Sequence, residues 1–169
     1  MFFKPVLVTV ALLLGGFAHA QDEVINYSDS DAVMNAAIAQ ARETFPLFMV
    51  QYYREAEDTG AFLDAFSVKV EMLTSDGVTT EIIWVSPFIE TETGFLGLLA
   101  NDPDDLPGLA YGSEIEFTFD QIADWSYVRG GRGFGNFTTR VMLPDIDADL
   151  AQELKDYLSE VPLPAEWGL

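Results

Sequence analysis

One run in the middle of the chain alternates apolar and polar residues, a period of two that is typical of a half-buried β-strand, and a partner strand follows it. FSVKVEML at 66–73 sets an apolar row against a polar row that contains Lys69. EIIWVSPF at 81–88 follows, and the SDGV turn at 75–78 carries an Asp-Gly pair that favours a tight hairpin. The pattern therefore predicts two antiparallel strands joined by a short turn.

Shorter runs predict the rest of the sheet. FLGLLAN at 95–101 and SEIEFTF at 113–119 are interpreted as strands, and SYVR at 126–129 with FTTRVML at 137–143 as a final strand pair. The DPDDLPG stretch at 102–108 is a loop, because proline breaks a strand ladder and aspartate favours turns. We expect about five antiparallel strands.

Helical repeats flank these strands. Residues 28–45 repeat apolar side chains at helical spacing, and Pro46 should end or kink this helix. Residues 145–158 repeat leucines at spacing four behind an acidic first turn, which the helix dipole favours. The order predicts a single α+β domain at 31–160, an antiparallel sheet with an N-terminal and a C-terminal helix packed on it, followed by a tail at 161–169.

The first twenty residues have the composition of a secretory signal peptide. Lys4 precedes an apolar run at 6–14, and Ala18-His19-Ala20 has the small-x-small pattern of a cleavage site. The run is too short for a membrane span, which needs about 20 residues. We expect a cut after Ala20, a flexible lead-in at 21–30, no membrane insertion after cleavage, and a periplasmic or secreted protein.

The amino-acid composition excludes several kinds of catalytic and metal-binding site. The chain has one histidine, His19, and no cysteine, so cleavage would leave neither residue. A Ser-His-Asp triad, a thiol site and a His-ligated zinc are then excluded, and the sequence indicates no catalytic residue, metal or cofactor. The 28 acidic and eight basic residues give a net charge of −20. This charge excludes nucleic acid and permits a cationic protein partner, although acidity also simply keeps an exported protein soluble.

The stretch YVRGGRGFGNFTTR at 127–140 contains three arginines, Arg129, Arg132 and Arg140, and four glycines within fourteen residues. One interpretation is a hairpin loop whose glycines supply positive φ angles. The other is an anion site built from Arg129, Arg132 and freed backbone N–H groups. The hairpin is favoured, because the stretch lacks the sequence signature of a phosphate-binding loop.

A second candidate pair is Asp124 with Arg140. An arginine among apolar residues needs a carboxylate, so we hypothesise that the two side chains form an ion pair that locks a turn onto the final hairpin. The catalytic alternative makes Asp124 a general base and Arg140 the binder of an anionic substrate.

An acidic run at 145–149 resembles the start of a calcium-binding loop. Asp145, Asp147 and Asp149 match the first three ligand positions of an EF-hand loop, but Leu150 stands where that loop requires glycine. A capped helix start is the favoured interpretation.

Six segments in order resemble one family: FSVKV, EIIWV, GFLGLLANDP, YGSEIEF, IADWSYV and GNFTTRVML. Over roughly residues 32–143 the chain is similar to the uncharacterised bacterial YegJ-like family (domain of unknown function 2314). The matching positions are Trp84, Gly97, Asn101, Pro103, Gly112, Asp124, Trp125 and Arg140. Ile82-Ile83 departs from the polar residue expected before the tryptophan. The resemblance implies a compact α+β domain and no established activity, cofactor or ligand.

Three functions remain open. The preferred one is an exported, non-catalytic binding or accessory domain. The alternatives are an acidic inhibitor or immunity-type protein that binds a basic protein, and a small carboxylate-dependent hydrolase. For the tryptophans Trp84, Trp125 and Trp167 there are two interpretations: they line a ligand groove, or they pack in the core. The candidate binding residues are Trp84, Asn101, Asp124, Trp125, Arg129, Arg132 and Arg140.

Overall fold

A computed structural model of the chain describes residues 5–10, 23–28, 31–59 and 64–167. The strands are β1 (Pro5–Val10), β2 (Glu23–Ser28), β3 (Phe66–Leu73), β4 (Thr80–Glu90), β5 (Phe95–Leu99), β6 (Glu114–Phe117), β7 (Ile122–Arg129) and β8 (Arg132–Gly135). The helices are α1 (Ala32–Thr59), α2 (Phe137–Met142) and α3 (Ala148–Tyr157), with 3₁₀ turns at Phe119–Gln121 and Ala165–Trp167. The predicted cleavage site after Ala20 lies outside the described residues.

The strands form one sheet in the order β2-β1-β4-β3-β7-β8, and β5 extends it between the far half of β4 and β6. Every pair from β3 to β8 is antiparallel, whereas β1 runs parallel to β4 and antiparallel to β2. The predicted α+β domain, with an antiparallel sheet and helices towards both ends, is confirmed. Among the described residues no helix is long and apolar enough to cross a membrane.

The first predicted hairpin is confirmed, with β3 and β4 joined at Asp76-Gly77. Gly77 has a φ of 67°, and Asp76 Oδ1 accepts the main-chain N–H groups of Val78 at 2.7 Å and Thr79 at 2.8 Å. These hydrogen bonds stabilise the carboxylate, the Thr79 N–H most strongly, and lower the pKa of Asp76 to about 2. The turn residues thereby set the register of the two central strands.

Helix α1 continues through Pro46, so of the two predicted effects of this proline, a helix end or a kink, the helix end does not occur. A proline inside a helix removes one hydrogen bond and costs about 3 kcal/mol. The apolar row nevertheless continues beyond it, with Phe48 fully buried and Tyr52 8% exposed against the sheet. Burying two aromatic side chains contributes about 1.5–3 kcal/mol each, which is enough to offset the cost of the proline.

The sheet separates two hydrophobic clusters. The larger lies under α1, where the fully buried ring of Phe48 is centred 5.4 Å from the ring of Phe66 on β3 and 5.0 Å from the ring of Trp125 on β7. The smaller contains Ile82 from β4 and Leu154 from α3. Because successive strand residues point to opposite faces, the polar row of β3 faces this second layer rather than solvent. The second layer therefore covers the polar row of β3, which the alternation pattern alone predicts to be exposed.

The segment FTTRVML is a helix, α2, and not the predicted last strand. Asn136 precedes it with a φ of 56°, a left-handed conformation that turns the chain out of β8. The first main-chain N–H groups of α2 then meet the carboxylate of Asp124. This cap outweighs the strand preference of the β-branched residues in the segment.

Candidate functional site

The glycine-arginine stretch forms the β7–β8 hairpin, whose loop is two residues long. Arg129 is paired with Arg132 across the ladder, and Gly130 and Gly131 turn the chain with φ angles of 60° and 75°. Both angles are in the left-handed region, which favours glycine because it has no Cβ. The hairpin interpretation is confirmed, but its second strand is the RGFG segment of β8.

Helix α2 follows the hairpin and carries Arg140. The guanidinium Nε of Arg140 donates to the main-chain oxygen of Gly135 at 2.9 Å. Its terminal nitrogens donate to the main-chain oxygen of Ser159 at 2.9 Å and to the hydroxyl of Ser159 at 3.1 Å. Neutral oxygen atoms therefore fix the position of this half-buried cation.

Helix α3 supplies a further cation, Lys155, in its last turn. The helix begins after Asp147, whose carboxylate accepts the N–H groups of Asp149 at 2.9 Å and Leu150 at 3.3 Å. This confirms the capped helix start as the role of the acidic run. The exposed ammonium group of Lys155 makes no hydrogen bond or ion pair with the part of the chain that the structure describes.

Arg129, Arg132, Arg140 and Lys155 line one open surface cleft of about 830 Å³, named here the basic cleft. The remaining lining residues are Gly130, Phe134, Leu143, Leu158, Ser159, Glu160 and Val161. The four cations are half of the eight lysine and arginine residues in a chain with a net charge of −20. The fold thus concentrates the scarce positive charge at one surface.

Carboxylates neutralise only part of this charge. Arg129 forms an exposed ion pair with Glu166, whose hydrogen bond raises the pKa of Arg129. The same bond lowers the pKa of Glu166. Arg132 donates instead to the main-chain oxygen of Asp156. Across the described ranges neither Arg132 nor Arg140 forms an ion pair with a carboxylate.

A second group of polar side chains, the buried polar centre, lies between the sheet and α2 and consists of Lys69, Asp124, Thr138 and Thr139. Lys69 Nζ donates to the hydroxyls of Thr138 at 3.0 Å and Thr139 at 3.1 Å. The Thr138 hydroxyl donates to Asp124 Oδ2 at 2.6 Å. Burial lowers the pKa of Lys69 to about 8 and raises the pKa of Asp124, and each charge partly offsets the effect on the other.

The predicted direct pair between Asp124 and Arg140 is wrong. The Asp124 carboxylate accepts the main-chain N–H groups of Trp125 at 2.8 Å, Phe137 at 3.1 Å and Thr138 at 2.8 Å. Burial lowers the pKa of Arg140, and the Asp124 charge opposes this at longer range. Because these N–H groups occupy a carboxylate that is fully buried, a general-base role for Asp124 has no structural support.

The other candidate binding residues lie in the core and do not line the basic cleft. Trp84 is 3% exposed, and Lys69 Nζ lies 4.9 Å from the centroid of its ring. Asn101 Oδ1 accepts the main-chain N–H of Trp84 at 3.1 Å. Trp125 is fully buried and donates its indole N–H to the main-chain oxygen of Ala41 at 3.0 Å. Core packing therefore accounts for these residues better than a ligand groove.

The chemistry of the basic cleft is anion binding. Arginine and lysine donate hydrogen bonds while positively charged, which suits carboxylate and phosphate groups. The sequence pattern does not place Lys155 or Ser159 there, because both come from a distant segment that only the tertiary fold brings beside β8. The sequence signal for this cleft is the distribution of basic residues, because three of the eight fall within the short stretch 127–140.

Comparisons with known proteins identify relatives. The family model described as "Uncharacterized protein conserved in bacteria (DUF2314)" matches residues 31–161. The chain is 27% identical over 155 residues to "Uncharacterized protein YegJ" of Escherichia coli (strain K12), covering 90% of this chain and 96% of that protein. It is 31% identical over 124 residues to "Putative ankyrin repeat protein NMB1133/NMB1171" of Neisseria meningitidis serogroup B, covering 72% of this chain and 49% of that protein. The chain thus spans about half the length of the Neisseria relative, and no solved structure matches it.

Proposed function

The chain belongs to the bacterial DUF2314 family, and we propose that this member is an exported, non-catalytic binding domain whose basic cleft takes an anionic ligand. The observation that carries the proposal is the placement of four of the eight basic residues around one cleft. In a protein with 28 acidic residues, three of these four cations are held without a carboxylate partner in the described structure.

The character of the lining supports binding rather than catalysis. Arginine stays protonated and cannot act as a general base. Glu160 is the single carboxylate among the described residues that line the cleft, and it is exposed. The buried carboxylate of Asp124 is engaged by α2, so it is not presented to a substrate.

The sequence of the N-terminus supports export. The apolar run and the Ala18-His19-Ala20 pattern indicate cleavage after Ala20. This cut would remove β1 (Pro5–Val10) from the exported protein, so N-terminal sequencing of protein recovered from the periplasm of an expressing bacterium should begin at Gln21. Recovery of uncut protein from the cytoplasm alone would contradict the export part of the proposal and leave the binding part to its own test.

Titration with inorganic pyrophosphate tests the binding part. We expect saturable binding, measured by isothermal calorimetry at low salt and by amide shifts around β8 and α3. Arg132→Gln and Lys155→Gln should each weaken the affinity about tenfold, the equivalent of about 1.4 kcal/mol, because each removes an exposed charge from the cleft.

Arg54→Gln is the matched control, since Arg54 is an exposed arginine on α1 outside the basic cleft. This variant should bind pyrophosphate as the unaltered protein does. Equal weakening by all three substitutions would show a general charge effect and refute a localised site. No response to pyrophosphate in the unaltered protein would refute the proposal directly.

A further inference from the structure

The basic cleft has an apolar wall as well as charge. Leu158 is buried at one side, and the partly buried Phe134 and Leu143 extend the wall. Val161 lines the same cleft with 56% of its surface exposed. An inorganic ion would not contact this apolar surface, because such an ion is strongly hydrated and makes only polar contacts.

Arg140 is preorganised to receive an anionic head group. A guanidinium has five N–H donors, and three of them are used by Gly135 and Ser159. The two donors that remain, one on each terminal nitrogen, are free to bond the oxygen atoms of a carboxylate or phosphate. Ser159 is itself held, since its hydroxyl donates to the main-chain oxygen of Gly133 at 3.1 Å and its N–H bonds to the same atom at 3.0 Å.

The volume of the cleft fits an organic molecule. About 830 Å³ lies in the range of about 300–1,000 Å³ that is typical of sites for small organic ligands. From the charge, the apolar wall and the volume together, we propose that the basic cleft binds an amphipathic organic anion, with its carboxylate or phosphate head at Arg140 and its alkyl body along Phe134, Leu158 and Val161. This inference rests on the proposed function, because it names the ligand class of the same site.

Three probes separate the head from the body: octanoate carries both, acetate carries only the head, and octanol only the body. Octanoate should bind at least about tenfold more tightly than acetate or octanol, a gain that burying two methylene groups would supply. Octyl phosphate is compared with inorganic phosphate in the same way, which distinguishes a phosphate head from a carboxylate head. Tighter binding of either alkyl anion than of its head group alone supports the inference.

Substitution of Val161 tests the apolar wall without disturbing the core. Val161→Ser should weaken octanoate binding about threefold or more and leave pyrophosphate binding unchanged, since only octanoate has an alkyl body. Val50→Ser is the control, because Val50 has the same 56% exposure on α1 outside this cleft. This control should leave both affinities unchanged.

The outcomes distinguish the two proposals. If octanoate and octyl phosphate bind no better than acetate and inorganic phosphate while pyrophosphate binds at the cleft, the amphipathic ligand is refuted and the anion site stands. If neither alkyl anion nor pyrophosphate binds, both proposals fail. Octanol binding as tight as octanoate binding would show an apolar site in which the cations play no part, and would refute the amphipathic anion.

Discussion

At the scale of single residues, the least predictable feature is Lys69. In the sequence it lies on the polar row of a strand, which is usually exposed, yet its side chain is fully buried. Its neighbour across the β3–β7 ladder is Asp124, and both side chains meet α2. Strand alternation identifies the correct row, but it cannot reveal that a helix from a later segment covers that row. By contrast, Trp84 in the same sheet is 3% exposed, which agrees with core packing, the alternative to its role as a candidate binding residue.

The buried Lys69 gives the protein a pH-dependent stability. Its pKa is about 8 in the folded protein, whereas an unburied lysine, as in the unfolded chain, has a pKa of 10.5. Between these two pH values the unfolded chain therefore binds more protons than the folded protein. The contribution of Lys69 to the free energy of unfolding should therefore increase as the pH rises from about 8 to 10, by roughly 1–2 kcal/mol. Urea unfolding at several pH values should show this increase relative to Lys69→Met.

Lys155→Met is the control for this experiment, because Lys155 is an exposed lysine. Its unfolding profile should run parallel to that of the unaltered protein across the same pH range. Should Lys69→Met fail to fold, an NMR titration of the Lys69 side chain in the unaltered protein gives the second measurement. A midpoint near 10.5, or parallel profiles for both variants, would show that Lys69 is not desolvated.

At the scale of elements, the β3–β4 hairpin and α3 follow from local pattern, whereas α2 does not. The Asp-Gly turn and the acidic helix start each specify one structure within a few residues. The segment of α2 contains two threonines and a valine, which favour a strand. Its helical form depends on Asn136 before it and on the distant carboxylate of Asp124, and this second influence is outside any local window.

Substitutions of Asn136 test whether the backbone conformation directs the chain into α2. Asn136→Gly and Asn136→Ala both remove the amide hydrogen bonds to Ser126 and Phe134. Only alanine also has a Cβ that disfavours the φ of 56°. We expect Asn136→Ala to be less stable than Asn136→Gly by about 1 kcal/mol in chemical denaturation. Equal stability of the two variants would mean that the left-handed conformation does not constrain this position.

At the scale of the whole molecule, charge is segregated: acidic residues dominate the chain, while half of its basic residues face one cleft. The sequence predicted the acidic surface and drew attention to Arg129, Arg132 and Arg140. It did not predict that Lys155 lines the same cleft, because only the tertiary fold brings α3 beside the β7–β8 hairpin. The segregation gives an anion two opposing fields, repulsion at long range and attraction within the cleft.

Salt should therefore speed the association of an anion, which is the reverse of ordinary binding at a basic site. Raising NaCl from about 10 mM to about 100 mM shortens the screening length from about 30 Å to about 10 Å. The distant acids are then screened more strongly than the nearby cations, so the association rate constant for pyrophosphate should rise several-fold. NMR line-shape analysis can measure this rate, with the cation spermidine as the control, whose association should slow over the same range. A rate for pyrophosphate that falls steadily with added salt would contradict long-range repulsion, because it would mean that the basic cleft dominates the field even at a distance.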